Sequence, residues 1–214
     1  MESLLGIFKR KVSSFKTRSS RGSFDSMGNG LSSISSFRSA LSSVNTEQAM
    51  RFTAVYAAIR LRSETVASLP KTVFSIDETG RHDARKHNIY KLIKYKPNGW
   101  MNVFTFWEYT NSCLEGWGNA FVIIRRDMKG DPVELIPVHP RLVSVVFRNA
   151  RKWYIVAGSL FFDGTYPDED MLHFFGMSED GITGVNPIVY NAAAISSGIS
   201  AQSFGNEFFE QGGN

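Results

Sequence analysis

Gly176-Met177-Ser178-Glu179-Asp180 is the nearest approach in this chain to a strained serine turn that would expose a nucleophile. It fails at its last position, where Asp180 stands in place of the second glycine that the turn requires. Cys113, the single cysteine, lies in an apolar stripe at helical spacing, and a thiol buried there keeps a high pKa and stays unreactive. His82, His87, His139 and His173 are dispersed, and the five-residue interval between the first two does not put them on one face of a helix. Glu108 and Glu115 are seven apart and could share a helix face as paired carboxylates, although the outer face of an amphipathic helix carries such residues routinely. Asp168-Glu169-Asp170 lacks the alternating order and the glycine of a calcium loop. The chain contains neither Gly-x-x-x-x-Gly-Lys-Ser/Thr nor Gly-x-Gly-x-x-Gly, so no loop is marked for nucleotide phosphates. The expectation is a protein without catalytic, metal-ligating or cofactor-binding residues.

The elements around these residues read as an α+β body. Asn45 or Thr46 can cap a helix with Glu47 in its first turn, and Ala49, Phe52, Val55, Tyr56, Ile59 and Val66 recur along it until Pro70 stops it. Lys71–Ile76 reads as a strand before a turn at Asp77-Glu78-Thr79-Gly80, with a short polar return. A short helix over His87–Tyr95 should turn Ile89, Leu92 and Ile93 inward. A longer one, capped by Asn102 and ended by Gly118, should bury Val103, Phe106, Tyr109 or Thr110, Cys113, Leu114 and Trp117. After Gly118 the period changes to two. Ala120–Arg126 is apolar on both faces and is expected to be a central strand, returning through Val133–Pro137. Leu142–Phe147 and Trp153–Ala157 form a second hairpin, a loop holding the three acidic residues follows, and Met171–Phe175 is a further strand. A last helix starts at Pro187 with Ile188, Ala192, Ile195 and Ile199 on one side. Its many Ala, Ser and Gly residues suit close approach of another backbone.

Residues 1–44 differ from this body. They hold fourteen serines and seven Lys/Arg against two acidic residues, and cannot bury enough surface to offset the entropy of ordering. A flexible basic arm is expected over 1–44 and a folded body over 45–214, with a short amphipathic helix over Ser3–Phe15 as an option within the arm. Lys9, Arg10, Lys11, Lys16, Arg18 and Arg21 are the arm's candidates for nucleic-acid contact. The body carries 17 basic and 18 acidic side chains, which argues against a surface that is one continuous basic footprint. One cysteine excludes an intramolecular disulfide framework and fits a reducing compartment. The longest uncharged stretch, Gly181–Asn206, is interrupted by Pro187 and is too polar to span hydrocarbon, so no membrane association is expected.

Several small or turn-forming residues have a structural use that chemistry does not explain. Gly118 can end a helix and swing the chain straight into a strand at Asn119, while Gly181 and Gly184 permit tight turns before Pro187 begins the last helix. These five positions are expected to be architectural.

An ordered series of segments carries more information than any of these motifs singly. It runs Ala54–Ile59, Val66–Pro70, Lys96-Pro97-Asn98 before an aromatic-rich helix, Gly118–Phe121, Leu135–Pro140, Met171-Leu172-His173, Asp180–Ile188 and Phe208–Gly212. The series resembles the amino-terminal half of the portal proteins of tailed bacteriophages and prophages, over about residues 45–213. The resemblance implies the peripheral wing region of such a protein and the lead-in to its stem. It further implies a structural subunit of a homo-oligomeric ring, usually of twelve copies, at one vertex of the virion's capsid. DNA would pass through the ring's channel in packaging and ejection, with a separate terminase motor, the major capsid protein and head–tail connector proteins as partners, and assembly in the host cytoplasm. Family chains are longer, so a fragment or truncated form is implied, and no channel-lining or terminase-contacting residue can be carried over. Two other readings stay open: a nucleic-acid or capsid-scaffold binding module working through the basic arm, and a hydrolase using Cys113 or His173.

Overall fold

The computed structural model describes residues 45–212. The arm expected over 1–44, with Lys9, Arg10, Lys11, Lys16, Arg18 and Arg21 and the Ser3–Phe15 segment, lies outside the described residues.

The chain enters through α1 (Thr46–Met50), where Asn45 and Gln48 cap each other reciprocally: the Asn45 side chain accepts the Gln48 N–H at 2.9 Å, and Gln48 Oε1 accepts the Asn45 N–H at 3.2 Å. One continuous helix is expected here, but the structure breaks it. Phe52 is extended (ψ 116°) and starts α2 (Thr53–Ser68) anew. The break turns the Phe52 ring onto Gly198, where an added Cβ would come within 3.1 Å of it. The buried positions of α2 are Ile59, Ser63 and Ala67, whereas Tyr56 is about half exposed. Small residues at this four-residue spacing bring α2 close to the long helix over Val103–Trp117, while Ala49, Ile59 and the half-buried Phe52, Val55 and Val66 of the predicted stripe also face inward and Tyr56 alone turns out.

β1 (Phe74–Asp77) and β2 (Gly80–Asp83) form an exposed hairpin. α3 (Asn88–Lys94) buries Leu92 as expected, with Ile93 packed beside it and Ile89 half-buried, and it also buries Tyr90. α4 (Val103–Trp117) is capped by Asn102, which accepts the Thr105 N–H at 2.8 Å, and it buries Phe106, Thr110, Cys113 and Gly116. Between these two helices, buried Asn98 ties the chain to the sheet. Its amide donates to the Leu135 carbonyl at 2.9 Å, and its oxygen accepts the Trp100 and Met101 N–H groups.

The strands form two three-stranded antiparallel sheets. In the first, β3 (Asn119–Arg126) lies between β4 (Pro132–Val138) and β8 (Met171–Phe175), the central place that its two-sided apolar pattern requires. In the second, β6 (Arg151–Val156) lies between β5 (Val143–Arg148) and β7 (Gly164–Pro167). β7, Gly-Thr-Tyr-Pro, is absent from the sequence reading because four residues ending in proline give no alternation to detect. The β5–β6 turn has Asn149 at φ 52° and Ala150 at φ 59°, the doubly left-handed turn that matches strand twist.

Alternation along β3 divides the core. Phe121 and Ile123 point with Ile136, Val138 and Met171 toward Tyr154 and Val156 of the second sheet. Val122 points with Leu135 toward Leu92 and Phe106 on the helices. The layers are therefore helices, sheet and sheet. A third cluster, Ala49, Ile59 and Ile188, joins α1 and α2 to α5 (Pro187–Tyr190). One helix is expected from Pro187 onward, but it bends at Asn191, whose side chain donates to the Pro187 carbonyl at 2.9 Å. α6 (Ala192–Glu210) follows. The close packing expected along it holds for its first half, where Ile195 rests on the third cluster and Gly198 on Phe52, while Ser196 is its one fully buried residue and Phe204, Phe208 and Phe209 farther on are exposed.

Candidate functional site

Three of the five residues read as architectural, Gly118, Asn119 and Gly184, meet at the start of β3. Gly118 closes α4 in the left-handed conformation (φ 75°), its N–H bonded to the Leu114 carbonyl. A Cβ on Gly118 would stand 2.0 Å from the Val185 carbonyl oxygen, and one on Gly184 would stand 2.1 Å from the Gly118 oxygen. The two backbones thus touch where no side chain fits. The Gly118 carbonyl accepts the Gly176 N–H at 3.0 Å, and Val185 donates to Met177 at 2.8 Å, closing the loop 176–185 on itself.

Asn119 locks the arrangement. Its amide donates to the Gly184 carbonyl at 2.8 Å, and its oxygen accepts the Gly184 N–H at 2.8 Å. The same oxygen lies 3.0 Å from His173 Nε2, so that nitrogen carries the proton, and Nδ1 faces the Tyr154 hydroxyl at 3.4 Å. The His173 ring stacks on Phe121 with centroids 4.4 Å apart. Burial, helped by the positive charge of Lys152, pushes its pKa down to about 4. A neutral imidazole held between an amide and a phenol is a fixed strut here.

Gly181 (φ 70°) has open space around it and serves the turn alone. The loop is built around Asp180, whose carboxylate accepts the Thr183 and Ile182 N–H groups at 2.8 and 2.7 Å and is thereby held far below the usual carboxylate range. Ser178 donates to the Thr183 carbonyl at 2.6 Å and accepts the Gly181 N–H at 2.9 Å, so its hydroxyl is committed to the turn. Pro187 occupies the first helical position after Asn186, which caps Ile188 and Val189 and donates to Thr46 Oγ1 at 3.0 Å. The junction thus sets the direction in which α5 and then α6 leave the sheet.

The other candidates are scattered. Cys113 is buried in α4, its thiol pushed up to about 12 by desolvation. His82 bonds Thr79, His87 caps α3, and His139 caps a 3₁₀ turn while standing edge-on to Trp117, its pKa lowered by burial. Glu115 pairs with Arg62 at 3.0 Å. In the acidic triplet, Asp170 pairs with Arg126 at 2.7 Å and Glu169 with Arg151 at 3.5 Å. Among the described residues no group of His, Cys, Asp and Glu is placed to hold a metal ion, and no helix is long and apolar enough to cross a membrane. Reading the sequence alone missed the use of His173, Tyr154 and Gly176 in the junction. The placement of His173 inside the predicted strand Met171–Phe175 is the available signal.

Residues 53–214 match the family model described as phage portal protein. The chain is 26% identical over 179 residues to the portal protein of Enterobacteria phage HK97, covering 80% of this chain and 41% of that one. It is 31% identical over 182 residues to the probable portal protein of Streptomyces phage phiC31, covering 79% and 39%. Among solved structures, a chain in the neck of an empty gene transfer agent particle, computed with C6 symmetry, superposes with a TM-score of 0.63 at 18% identity, over 77% of this chain and 46% of that one. A chain from a native particle's neck, computed with C12 symmetry, gives 0.55 at 14% identity, over 85% and 46%. These superpositions show a shared fold. The chain spans about two fifths of the length of the two portal proteins.

Proposed function

The chain belongs to the phage portal protein family, and from that premise we propose that it is a structural subunit of the portal ring at the capsid vertex. In this reading the α+β body is the peripheral wing, and α6 is the first length of the stem around the channel for packaged and ejected DNA. The single observation that carries it is the state of α6: nineteen residues with one buried, and Phe204 and Phe209 72% and 79% exposed. Exposed aromatic surface of this kind needs a covering partner. Neighbouring copies in a ring supply one through two different, mutually complementary faces. The Gly118–Asn119–Gly184 junction fits the same role, since every copy must send its helix off at one angle for the ring to close.

The finer parts of the reading follow from the family premise. They are twelve copies, docking of the terminase motor, contact with the major capsid protein and the head–tail connector proteins, a place in the virion, and assembly in the host cytoplasm. Bond-making chemistry is left to another polypeptide. Light scattering combined with negative-stain imaging tests the core of it. Rings with a central channel are expected, and a strictly monomeric protein at every concentration would refute it.

The basic arm is a separable contact. Lys9, Arg10, Lys11, Lys16, Arg18 and Arg21 are proposed to touch nucleic acid transiently, so changing all six to Gln should flatten the salt dependence of binding by about five in logarithmic slope. Ring formation should survive those changes. Its loss would favour the arm-driven module over a ring built by the body.

A further inference from the structure

The near-neutral charge of the body conceals a strong partition. Residues 81–96 carry six Lys/Arg (Arg81, Arg85, Lys86, Lys91, Lys94 and Lys96) against Asp83 alone, while residues 153–214 carry eight acidic side chains and no Lys or Arg. The fold brings the basic segment to the β3–β4 turn, where Lys129 adds to it. Together they line a cleft of about 730 Å³ whose positive groups are Arg85, Lys86, Lys91 and Lys129.

Among the described residues, positive groups outnumber carboxylates in this cleft. Arg85 lies 3.4 Å from Asp83, and among the described residues no carboxylate is paired with Lys86, Lys91 or Lys129. Asp127 and Asp131 also line it. Asp127 accepts the Lys129 and Asp131 N–H groups at 2.8 and 3.0 Å, which holds its carboxylate in the turn; with Asp131 it sets two negative charges against the four positive ones, so the lining stays net positive. His87 accepts the Ile89 N–H through Nδ1 at 3.3 Å, so its Nε2 is free to donate.

We propose that this cleft binds the phosphate backbone of duplex DNA. The alternative occupant, an acidic segment of a second copy, fits less well on two counts. Lysine is depleted from the cores of protein–protein interfaces, and this lining offers few apolar groups to anchor a protein partner. The acidic turn Asp168–Asp170 is already tied to Arg126 and Arg151 of its own chain. Exposed lysines on flexible stems suit a repeating phosphate backbone, which they can follow without base readout. The choice of duplex DNA as the polyanion rests on the portal reading; the charge of the cleft does not.

The test is fluorescence anisotropy of a short labelled duplex titrated with the full chain, comparing the natural protein with the triple variant Lys86→Gln, Lys91→Gln, Lys129→Gln. Affinity should fall at least tenfold at about 0.1 M salt, and the slope of log K against log salt should fall by about two to three. The charge-keeping triple change to Arg should retain binding, and it guards against a folding artefact. Both comparisons are repeated with the six arm residues changed to Gln, where the effect of the cleft should persist. Unchanged affinity in the Gln triple variant overturns the proposal, as does lost ring assembly with DNA affinity per chain unchanged, which would make the cleft a seat for another copy. Imaging reports the ring separately: a monomer whose DNA binding still depends on these lysines would sink the ring reading and leave the cleft standing.

Discussion

Asn119 and Gly184, sixty-five residues apart, hold each other through both of their amides, with donor–acceptor distances of 2.8 Å in each direction. That pair joins the start of the central strand to the loop that launches α5. Changing Asn119 to Leu leaves the Gly184 N–H and carbonyl without partners in a half-buried site and should destabilise the body by about 2–4 kcal/mol. Chemical denaturation reads this directly, and a cost near zero would show that water satisfies the loop equally well.

Three glycines in the same region should respond unequally to alanine. Gly118→Ala and Gly184→Ala drive a methyl into backbone oxygen at 2.0 and 2.1 Å, so each should cost about 3 kcal/mol or more. Gly181 shares Gly118's positive φ but faces open space, and its alanine variant should cost only about 1–2 kcal/mol. Similar midpoints for all three variants would contradict the close contact between the backbones at 118 and 184.

His173 makes stability depend on pH in a defined window. Its folded pKa, about 4, lies below the ordinary 6.5, so the unfolded chain binds the proton more readily. Its contribution is complete above about pH 6.5 and drains away as pH falls toward 4. Allowing for screening at a partly exposed ring, the loss at pH 5 should be about 1 kcal/mol. Denaturation midpoints at pH 7 and pH 5 check it, and His173→Gln should flatten the difference.

Ala150 sits at φ 59° in the β5–β6 turn, a conformation glycine adopts at no steric cost. Ala150→Gly should therefore raise stability by up to about 1 kcal/mol, against the usual direction of such a change. A lower melting temperature in the glycine variant would count against the doubly left-handed turn.

Cys113 should be inert in the native protein. With the residue 1% exposed and its thiol pushed up to about 12, it should resist maleimide at pH 8 and label fully in denaturant. Rapid labelling of the folded protein would reopen the reading of Cys113 as a nucleophile.

Much of the local structure was legible because it depends on near neighbours. The Asn102 cap, the Gly118 helix stop, the two-sided apolar run of β3, the second hairpin and the Pro187 start all rest on residues within a few positions of one another. The breaks at Phe52 and Asn191 were not legible, since both segments keep helical periodicity through the bend. The first break accompanies the Phe52 ring resting on Gly198, and the second the Asn191 side chain turning back to Pro187, both contacts that periodicity does not encode.

The sequence by itself determined most of the elements and their order, the absence of a recognisable catalytic motif, and a resemblance that the family match shares. Only tertiary structure decided that Gly118, Asn119, His173 and Gly184 form one junction, and that Arg85, Lys86, Lys91 and Lys129 share a cleft. The reason is physical. Caps, turns and alternation are local properties of the backbone and can be read along the chain. Which distant amides meet, and where like charges gather, is settled by how sheets and helices pack, and a total of charges along the chain averages that placement away.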